Sequence, residues 1–461
     1  MPKRSPQPAT LWSQTGTPDA LMMAYTIGDD RTWDTRLLSW DVLGSLGHIE
    51  GLRASGLLSA RDHARLRAGL RQALAAVRAG RLLIGPGHED AHSAVEDWLT
   101  RRLGTAGARV HAGRSRNDQV TVDLRLYLKD ALLGLQGQVH DLSDALLAFA
   151  AEHQRILWPG YTHQRRAMPS SAGLWAAGLA EGLLTSAEAL PALWARVDRS
   201  PLGSAAGYGV PLPLKREVAM RALGFSALDQ VVTVVQNSRG KVEAAVLAWC
   251  VDLAHDLSRL ASDVILLSSE EFGFLVLPAD LATGSSIMPQ KRNPDLFELT
   301  RARAAAVEGD LAAMLYLKGK LTGGYHRDFQ LLKEPLFRGL DRTREMLAMM
   351  AHALPRVGVD QAKGLAALKG DALVTDEVMR RVEAGVPFRV AYRAVAEEFK
   401  QGVIFTTPSV ADLIRRRRGT GNLGNIGLPS LRARARAGRR WNRGERTRFD
   451  RAMSRLGGRR R

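Results

Sequence analysis

The stretch Lys241-Val-Glu-Ala-Ala-Val-Leu-Ala-Trp-Cys-Val-Asp-Leu-Ala-His-Asp-Leu-Ser-Arg-Leu-Ala-Ser-Asp-Val-Ile-Leu-Leu-Ser-Ser-Glu-Glu-Phe272 contains neither Gly nor Pro. Within it Val242, Ala245, Val246, Trp249, Leu253, Leu257, Leu260, Val264 and Leu267 recur at spacings of three and four, the period of one face of an α-helix. At 1.5 Å per residue such a helix is roughly 45 Å long, and globular helices average only about 11–12 residues. Covering an apolar stripe of that length takes neighbours of comparable length, so the stretch predicts a helical bundle.

Such neighbours lie on both sides. Asn117 to His153 has no Pro and carries Val120, Leu124, Tyr127, Leu128, Ala131, Leu135, Val139 and Leu142 on one stripe, with Gly134 and Gly137 as its weak points. Further helices are predicted over Ser171 to Leu190, Pro294 to Leu317 and Glu334 to Leu354, separated by connectors such as Trp158-Pro-Gly and Pro211-Leu-Pro. No alternating strand pattern of any length appears. The expected fold is all-α, built around a central bundle of long helices at 111–355. A helical region at 1–110 precedes it, and a helical region at 356–414 and an arginine-rich tail at 415–461 follow.

Composition narrows the classes. With 461 residues, 45% hydrophobic and 24% charged, the chain is globular and wholesale disorder is excluded. The formal charge of +18 would ordinarily suggest a nucleic-acid partner, but residues 415–461 hold 17 Arg and two acids, leaving only +3 for residues 1–414. The tail reads as a solvated basic extension in which Trp441, Phe449, Met453 and Leu456 can form one short amphipathic helix, and no nucleic-acid partner is expected. The single cysteine, Cys250, cannot form an intrachain disulfide, sits in a helical apolar run as a small buried hydrophobe, and fits a reducing cytosol. Met1-Pro-Lys-Arg-Ser-Pro-Gln-Pro is followed by no apolar h-region, and no run of about 18 uncharged apolar residues occurs, so neither export nor a membrane span is expected.

Function has to come from where the helical pattern breaks. Thr283-Gly-Ser-Ser-Ile-Met-Pro-Gln-Lys-Arg-Asn-Pro-Asp295 combines backbone freedom at Gly284, two hydroxyls, and the cation Lys291 two residues before the amide Asn293, just ahead of a helix start at Pro294. Such a loop can close over a bound acid, exclude water and bring the Ser285 hydroxyl to a C–H bond while Lys291 and Asn293 hold a carboxylate. A capped linker would account for Pro294 and Asp295 but not for the whole string. This string resembles the signature G-S-S-x-M-P-x-K-x-N-P of the aspartase/fumarase superfamily. The resemblance implies a homotetramer of all-α chains, with sites shared between subunits, that releases fumarate from a succinyl compound by β-elimination.

His111-Ala-Gly-Arg-Ser-Arg-Asn-Asp-Gln119 places two arginines, an amide and a hydroxyl at a helix N-terminus, where guanidinium forks and free N–H groups make an anion site. A plain N-cap would account for Ser115 or Asn117 alone. The run resembles the argininosuccinate lyase family's H-x-G-R-S-R-N-D-Q, in which Ser115, Arg116 and Asn117 would bind the succinyl carboxylates. Gly160-Tyr-Thr-His-Gln-Arg-Arg-Ala-Met-Pro169 offers a histidine in a turn before a helix, a residue type suited to general acid or base work. Taken alone, such a histidine is more often structural. Its resemblance to the family's G-Y-T-H segment makes His163 the proton-transfer histidine and Thr162 a carboxylate ligand, although Gln164, Arg165 and Met168 depart from that family's continuation.

Tyr325-His-Arg-Asp-Phe-Gln-Leu-Leu-Lys-Glu-Pro335 resembles the lyase segment Y-N-K-D-x-Q-x-x-K-E-P, and by that resemblance Tyr325, Gln330 and Lys333 contact the amino-acid part of the substrate. His88-Glu-Asp-Ala-His-Ser-Ala-Val-Glu96 resembles the D-E-D-x-H-x-x-x-E box and places His92 near the site. Glu298 takes the place of the carboxylate that pairs with the catalytic histidine. Two departures stand out. The family's opening W-G-G-R-F is Leu11-Trp-Ser-Gln-Thr-Gly here, with no clear counterpart of its following serine around Thr26 to Asp30, and Gln236-Asn-Ser-Arg-Gly-Lys241 replaces S-D-R-D. The resemblance implies cleavage of argininosuccinate to arginine and fumarate, the last step of arginine biosynthesis, with another succinyl-amine such as adenylosuccinate as the alternative substrate. Ser285, His163, Glu298 and Lys291 would carry the chemistry. No cofactor is expected, and no metal either, because the histidines lie in separate segments without ligand spacing.

Overall fold

A computed structural model describes residues 19–405 and 408–458; the basic opening, Leu11-Trp-Ser-Gln-Thr-Gly and the last three arginines lie outside the described residues. Its main elements begin with α1 (Ala20–Ile27), α2 (Leu38–Ala54), α3 (Ala60–Arg78) and α4 (Ala91–Leu103). They continue with α5 (Arg116–Glu152), a hairpin of β1 (Leu157–Thr162) and β2 (Arg165–Ser171), α6 (Ala172–Glu188) and α7 (Arg216–Ala222). The chain ends with α8 (Lys241–Leu267), α9 (Asp295–Lys318), α10 (Lys333–Ala353), α11 (Val374–Glu383), α12 (Phe388–Lys400) and α13 (Leu428–Gly457). The architecture is all-α, with only short paired strands between the helices.

The bundle forms because its long helices bury complementary stripes. α8 packs on α9, α9 on α10, α10 on α5, α5 on α6 and α6 on α8, around one apolar core. The helix α5 is a shared wall. Leu124, Leu128 and Leu135 face this core, while Val122, Leu126 and Leu133 on its other side join a second core with Leu46 and Ile49 of α2, Leu70 of α3 and Leu99 of α4. A helix apolar on both faces is one buried on both faces. Each fully buried Leu here contributes about 1.5–3 kcal/mol relative to exposure. Cys250 is buried in the first core, and burial pushes its thiol up to about 12. Among the described residues no helix is long and apolar enough to cross a membrane.

Three features differ from the sequence expectation. First, α8 stops at Leu267 and not at Phe272. The chain turns so that Phe272 meets Tyr161 edge-on at 5.1 Å and Phe274 stacks on Trp158 at 5.7 Å between ring centres. Second, residues expected to be a connector form the β1–β2 hairpin, with Leu157 opposite Ser171 and Thr162 opposite Arg165. Its two-residue turn is His163-Gln164, with φ of 50° and 56°. Two successive left-handed residues are what a tight hairpin turn requires, at a conformational cost for residues other than Gly.

Third, the arginine-rich segment is not a solvated extension with one short helix. Its α13 runs for 30 residues along α5 and α6 and reaches α2 and α3. Leu431 and Ala435 enter the bundle core, and Phe449 and Leu456 enter the second core. Arginines on its protein-facing side meet acids of the bundle. Arg434 pairs with Glu181 at 2.7 Å and Glu188 at 2.8 Å, Arg439 with Asp141 at 2.9 Å, and Arg446 with Asp130 at 2.5 Å. Beneath Phe449 lies Lys129, fully buried, its ammonium 2.5 Å from Asp198 and 4.5 Å from the Phe225 ring centre; Arg448 binds the same Asp198.

Candidate active site

The ends of several helices converge on a cavity of about 280 Å³. Its walls come from the end of α1 and the short helix Asp30–Asp34 that follows it, the start of α4, the start of α5, the residue two before α8, and the segment that leads into α10. Capping builds two of these walls. Asp90 caps α4 by accepting from the Ser93 amide at 2.8 Å, while Ser93 Oγ accepts from the Asp90 amide at 3.2 Å. Ser115 caps α5, accepting from the Asn117 amide at 3.3 Å, and Asp118 accepts from the Ser115 amide at 3.0 Å. Asp118 also accepts from the Gly203 and Ala205 amides at 3.0 Å each, which ties the Leu202-Gly-Ser-Ala-Ala-Gly-Tyr segment to the start of α5; burial raises its carboxyl to about 6.

Of the residues singled out from the sequence, His92, Arg116, Asn117, Tyr325, Gln330 and Lys333 line this cavity. They come from three distant segments. Ser115 is occupied as the cap just outside it. Lys333 is buried and its ammonium is 2.7 Å from Asp30 and also bonds Asp34. Burial disfavours the Lys333 charge, but Asp34 and Asp30 outweigh it and raise the group above its ordinary value. Burial raises the Asp30 carboxyl to about 6, with Lys333 pulling the other way. Gln330 donates to the carbonyls of Thr26 at 3.1 Å and Ile27 at 2.9 Å, and Arg327 donates to Thr26 at 3.0 Å.

His92 is held from behind. Its Nδ1 lies 2.8 Å from Asp41 and 3.7 Å from Asp123, both buried. Burial works against its charge, yet Asp41, with Asp90 and Asp123, raises it to about 10, so His92 enters the cavity wall as a cation at neutral pH. Burial and the neighbouring Asp41 in turn push Asp123 well above the usual carboxylate range. Arg116 bonds Glu89 at 2.9 Å and faces Asp90 at 3.4 Å.

The sequence reading missed Asp30, Asp34, Glu89, Asp90, Arg239 and Arg327, all of which line the cavity. The stretch Thr26 to Asp30, which held no clear counterpart of the family's serine, supplies two carbonyls and a carboxylate to the site. Arg239, in the departing string before α8, is buried; its Nε is 3.1 Å from Glu243, its guanidinium lies over the Phe329 ring at 5.3 Å, and its Nη1 has no partner. A buried guanidinium nitrogen left open at a cavity wall is an anion-binding group in waiting.

The remaining candidates are elsewhere. Thr162 and His163 are exposed at the hairpin turn, rooted by the aromatic cluster of Trp158, Tyr161, Phe272 and Phe274. The Ser285 to Asn293 segment is a loop closed at its base by Thr283 opposite Asn293. Ser285 Oγ accepts from the Met288 amide at 3.1 Å, Lys291 is exposed, and Glu298 is exposed in the first turn of α9. None of these residues lines the cavity of its own chain.

Comparison with known proteins agrees across nearly the whole chain. A family model described as a lyase matches residues 14–309. The chain is 40% identical over 431 residues to an argininosuccinate lyase of Parabacteroides distasonis, covering 93% of this chain and 95% of that one. It is 41% identical over 424 residues to an argininosuccinate lyase of Sorangium cellulosum, covering 92% and 98%. Among solved structures, EDDS lyase in complex with formate matches with a TM-score of 0.76 at 23% identity, covering 96% of this chain and 95% of that one. A class II fumarase from Schistosoma mansoni matches at 0.71 and 16% identity, covering 86% and 91%. These two structures share the fold.

Proposed function

Because the chain belongs to the argininosuccinate lyase family, we propose that it cleaves argininosuccinate to L-arginine and fumarate, the last step of arginine biosynthesis. The observation that carries this reading is the identity of about 40% over more than nine tenths of the chain. The cavity supports it: Arg116 and Asn117 line the same cavity as Tyr325, Gln330 and Lys333, so that one substrate can meet both groups at once. Its charged lining of acids and bases already paired in place suits a substrate with carboxylates, an ammonium and a guanidinium. Fumarate release, followed by ultraviolet absorbance from a panel of succinyl-amines, tests the assignment. Argininosuccinate is expected to turn over fastest; a clear preference for adenylosuccinate would sink it.

The chemistry follows from the acidity of the bond to be broken. The Cβ proton lies beside a carboxylate and is only weakly acidic, so removing it requires stabilising an aci-carboxylate with two negative charges. Lys291, Asn293, Thr162 and the Ser115-Arg116-Asn117 cluster serve that charge, and stabilisation of this kind is usually the largest single contribution to catalysis. Ser285 takes the proton from Cβ. The C–N bond then breaks, and His163, oriented by Glu298, handles the proton on the departing guanidinium nitrogen. Tyr325 and Gln330 hold the amino-acid end, and Lys333 acts there through the carboxylates of Asp30 and Asp34 that it fixes.

Such a site needs more than one chain. His163, Ser285 and Lys291 do not line the cavity of their own chain, and a homotetramer whose subunits lend one another the hairpin and the loop brings them to it. Supporting this, Leu299, Leu315 and Tyr316 on α9, Met349 on α10 and Leu266 on α8 are exposed apolar residues on the long helices. The single buried cysteine is in keeping with a reducing cytosol.

A further inference from the structure

A second concave surface lies apart from the active site, between α3, α7 and α13, with a volume of about 540 Å³. Five arginines line it, Arg67, Arg221, Arg448, Arg451 and Arg455, against one acid, Glu50. Arg67 has Glu50 at 3.8 Å, and Arg448 has Glu445 at 2.7 Å together with Asp198. The side chains of Arg221, Arg451 and Arg455 have no hydrogen bond or ion pair among the described residues. Elsewhere on α13 the protein-facing arginines are matched to acids, as Arg434, Arg439 and Arg446 are. Arg451 and Arg455, on the groove side of α13, have no such match.

We propose that this groove binds a phosphate chain bearing three or more negative charges. Guanidinium groups brought together in a concavity repel one another until an anion enters, and their planar forks fit phosphate oxygens two at a time. A cleft lined by one sign of charge also concentrates its field, which favours a multiply charged ligand over a single anion. The volume falls within the roughly 300–1,000 Å³ of small-molecule sites, and the arginines come from three elements, the arrangement of a pocket and not of a flat polymer-binding face. Below them Val218, Ala222, Phe225 and Ala452 form an apolar floor on which an organic group attached to the phosphates can rest. The walls meet through Gly224, whose φ is 70° and whose added Cβ would stand 2.6 Å from Ala452 Cβ. Free inorganic triphosphate and a nucleoside triphosphate share this chemistry.

Isothermal titration of the full chain with inorganic triphosphate and, separately, with ATP tests the site, alongside Arg221→Ala and the double variant Arg451→Ala/Arg455→Ala. The expected result is saturable binding of one ligand per chain that weakens as salt rises and falls about 10-fold or more in each variant. Equal affinities identify the phosphate chain alone as the ligand, and tighter ATP binding assigns the floor to the nucleoside. The replaced side chains are exposed, and unchanged melting together with unchanged fumarate release shows that the variants are intact. Absence of binding by both compounds, binding unaffected by the variants, or binding only of a long oligonucleotide would overturn the proposal.

Discussion

Lys333 and Asp30 are 303 positions apart, yet they form one buried unit with Asp34. No local pattern announces such a contact, which is why Lys333 was legible from its motif and its carboxylate partners were not. The same holds for Arg239, whose neighbour Phe329 comes from another segment. The residues that were legible, such as Arg116 and Asn117, stand in strings that start helices, where a cap and a polar run mark the position in the sequence itself. His92 carries a prediction about pH. Its folded value is raised from 6.5 to about 10, so its contribution to stability is fully present below pH 6.5 and is lost as the pH climbs toward 10. Thermal unfolding should show the unmodified chain losing stability over that window, a slope missing from His92→Gln; parallel profiles would contradict the charge assigned to His92. At Ser285 the expectation is kinetic. Ser285→Ala should cost several orders of magnitude in kcat with melting unchanged, since the side chain is in an open loop and bonds only nearby amides. Near-normal turnover would remove Ser285 as the base.

Helix α13 and the β1–β2 hairpin show how an element can hide in a sequence. Pro159, Gly160 and Pro169 gave the hairpin the look of a connector, and its strands are anchored by aromatic contacts to Phe272 and Phe274 more than 100 residues later. The long bundle helices were legible because an unbroken three-and-four spacing has few alternatives. In α13 the many arginines obscured a sparse apolar stripe, and the acids that match them are on α5 and α6. Phe449 is only 1% exposed and covers the buried Lys129 and Asp198 pair. Phe449→Ala should therefore destabilise the chain by about 3–5 kcal/mol, because it opens a cavity above a buried charge. A urea titration that moves by less than about 1 kcal/mol would show that α13 is not integral to the fold.

For the molecule as a whole, the charge of +18 resolves into local balances. Arg434, Arg439 and Arg446 of the last segment are matched to acids on the bundle, while Arg451 and Arg455, which have no such match, line the groove between α3, α7 and α13. The helices that form the bundle also present exposed apolar side chains, in keeping with an assembly of several chains. Mixing an inactive Ser285→Ala chain with an inactive His163→Asn chain checks the shared site. Subunit exchange between them should restore fumarate release through sites that draw an intact loop and an intact hairpin from different chains. Mixed tetramers, identified by mass, that remain inactive would refute it.

The course of α13 has a further consequence for how the chain is made. Arg439 and Arg446 meet residues of α5 that left the ribosome about 300 positions earlier, and Phe449 seals a core whose other walls are α2 and α3. Contacts this distant in sequence close last, so a nascent chain must carry an uncovered acidic face and an open core through most of its synthesis. A chain stopped short of α13 keeps those surfaces open, and chaperones and proteases can then tell it from a finished one.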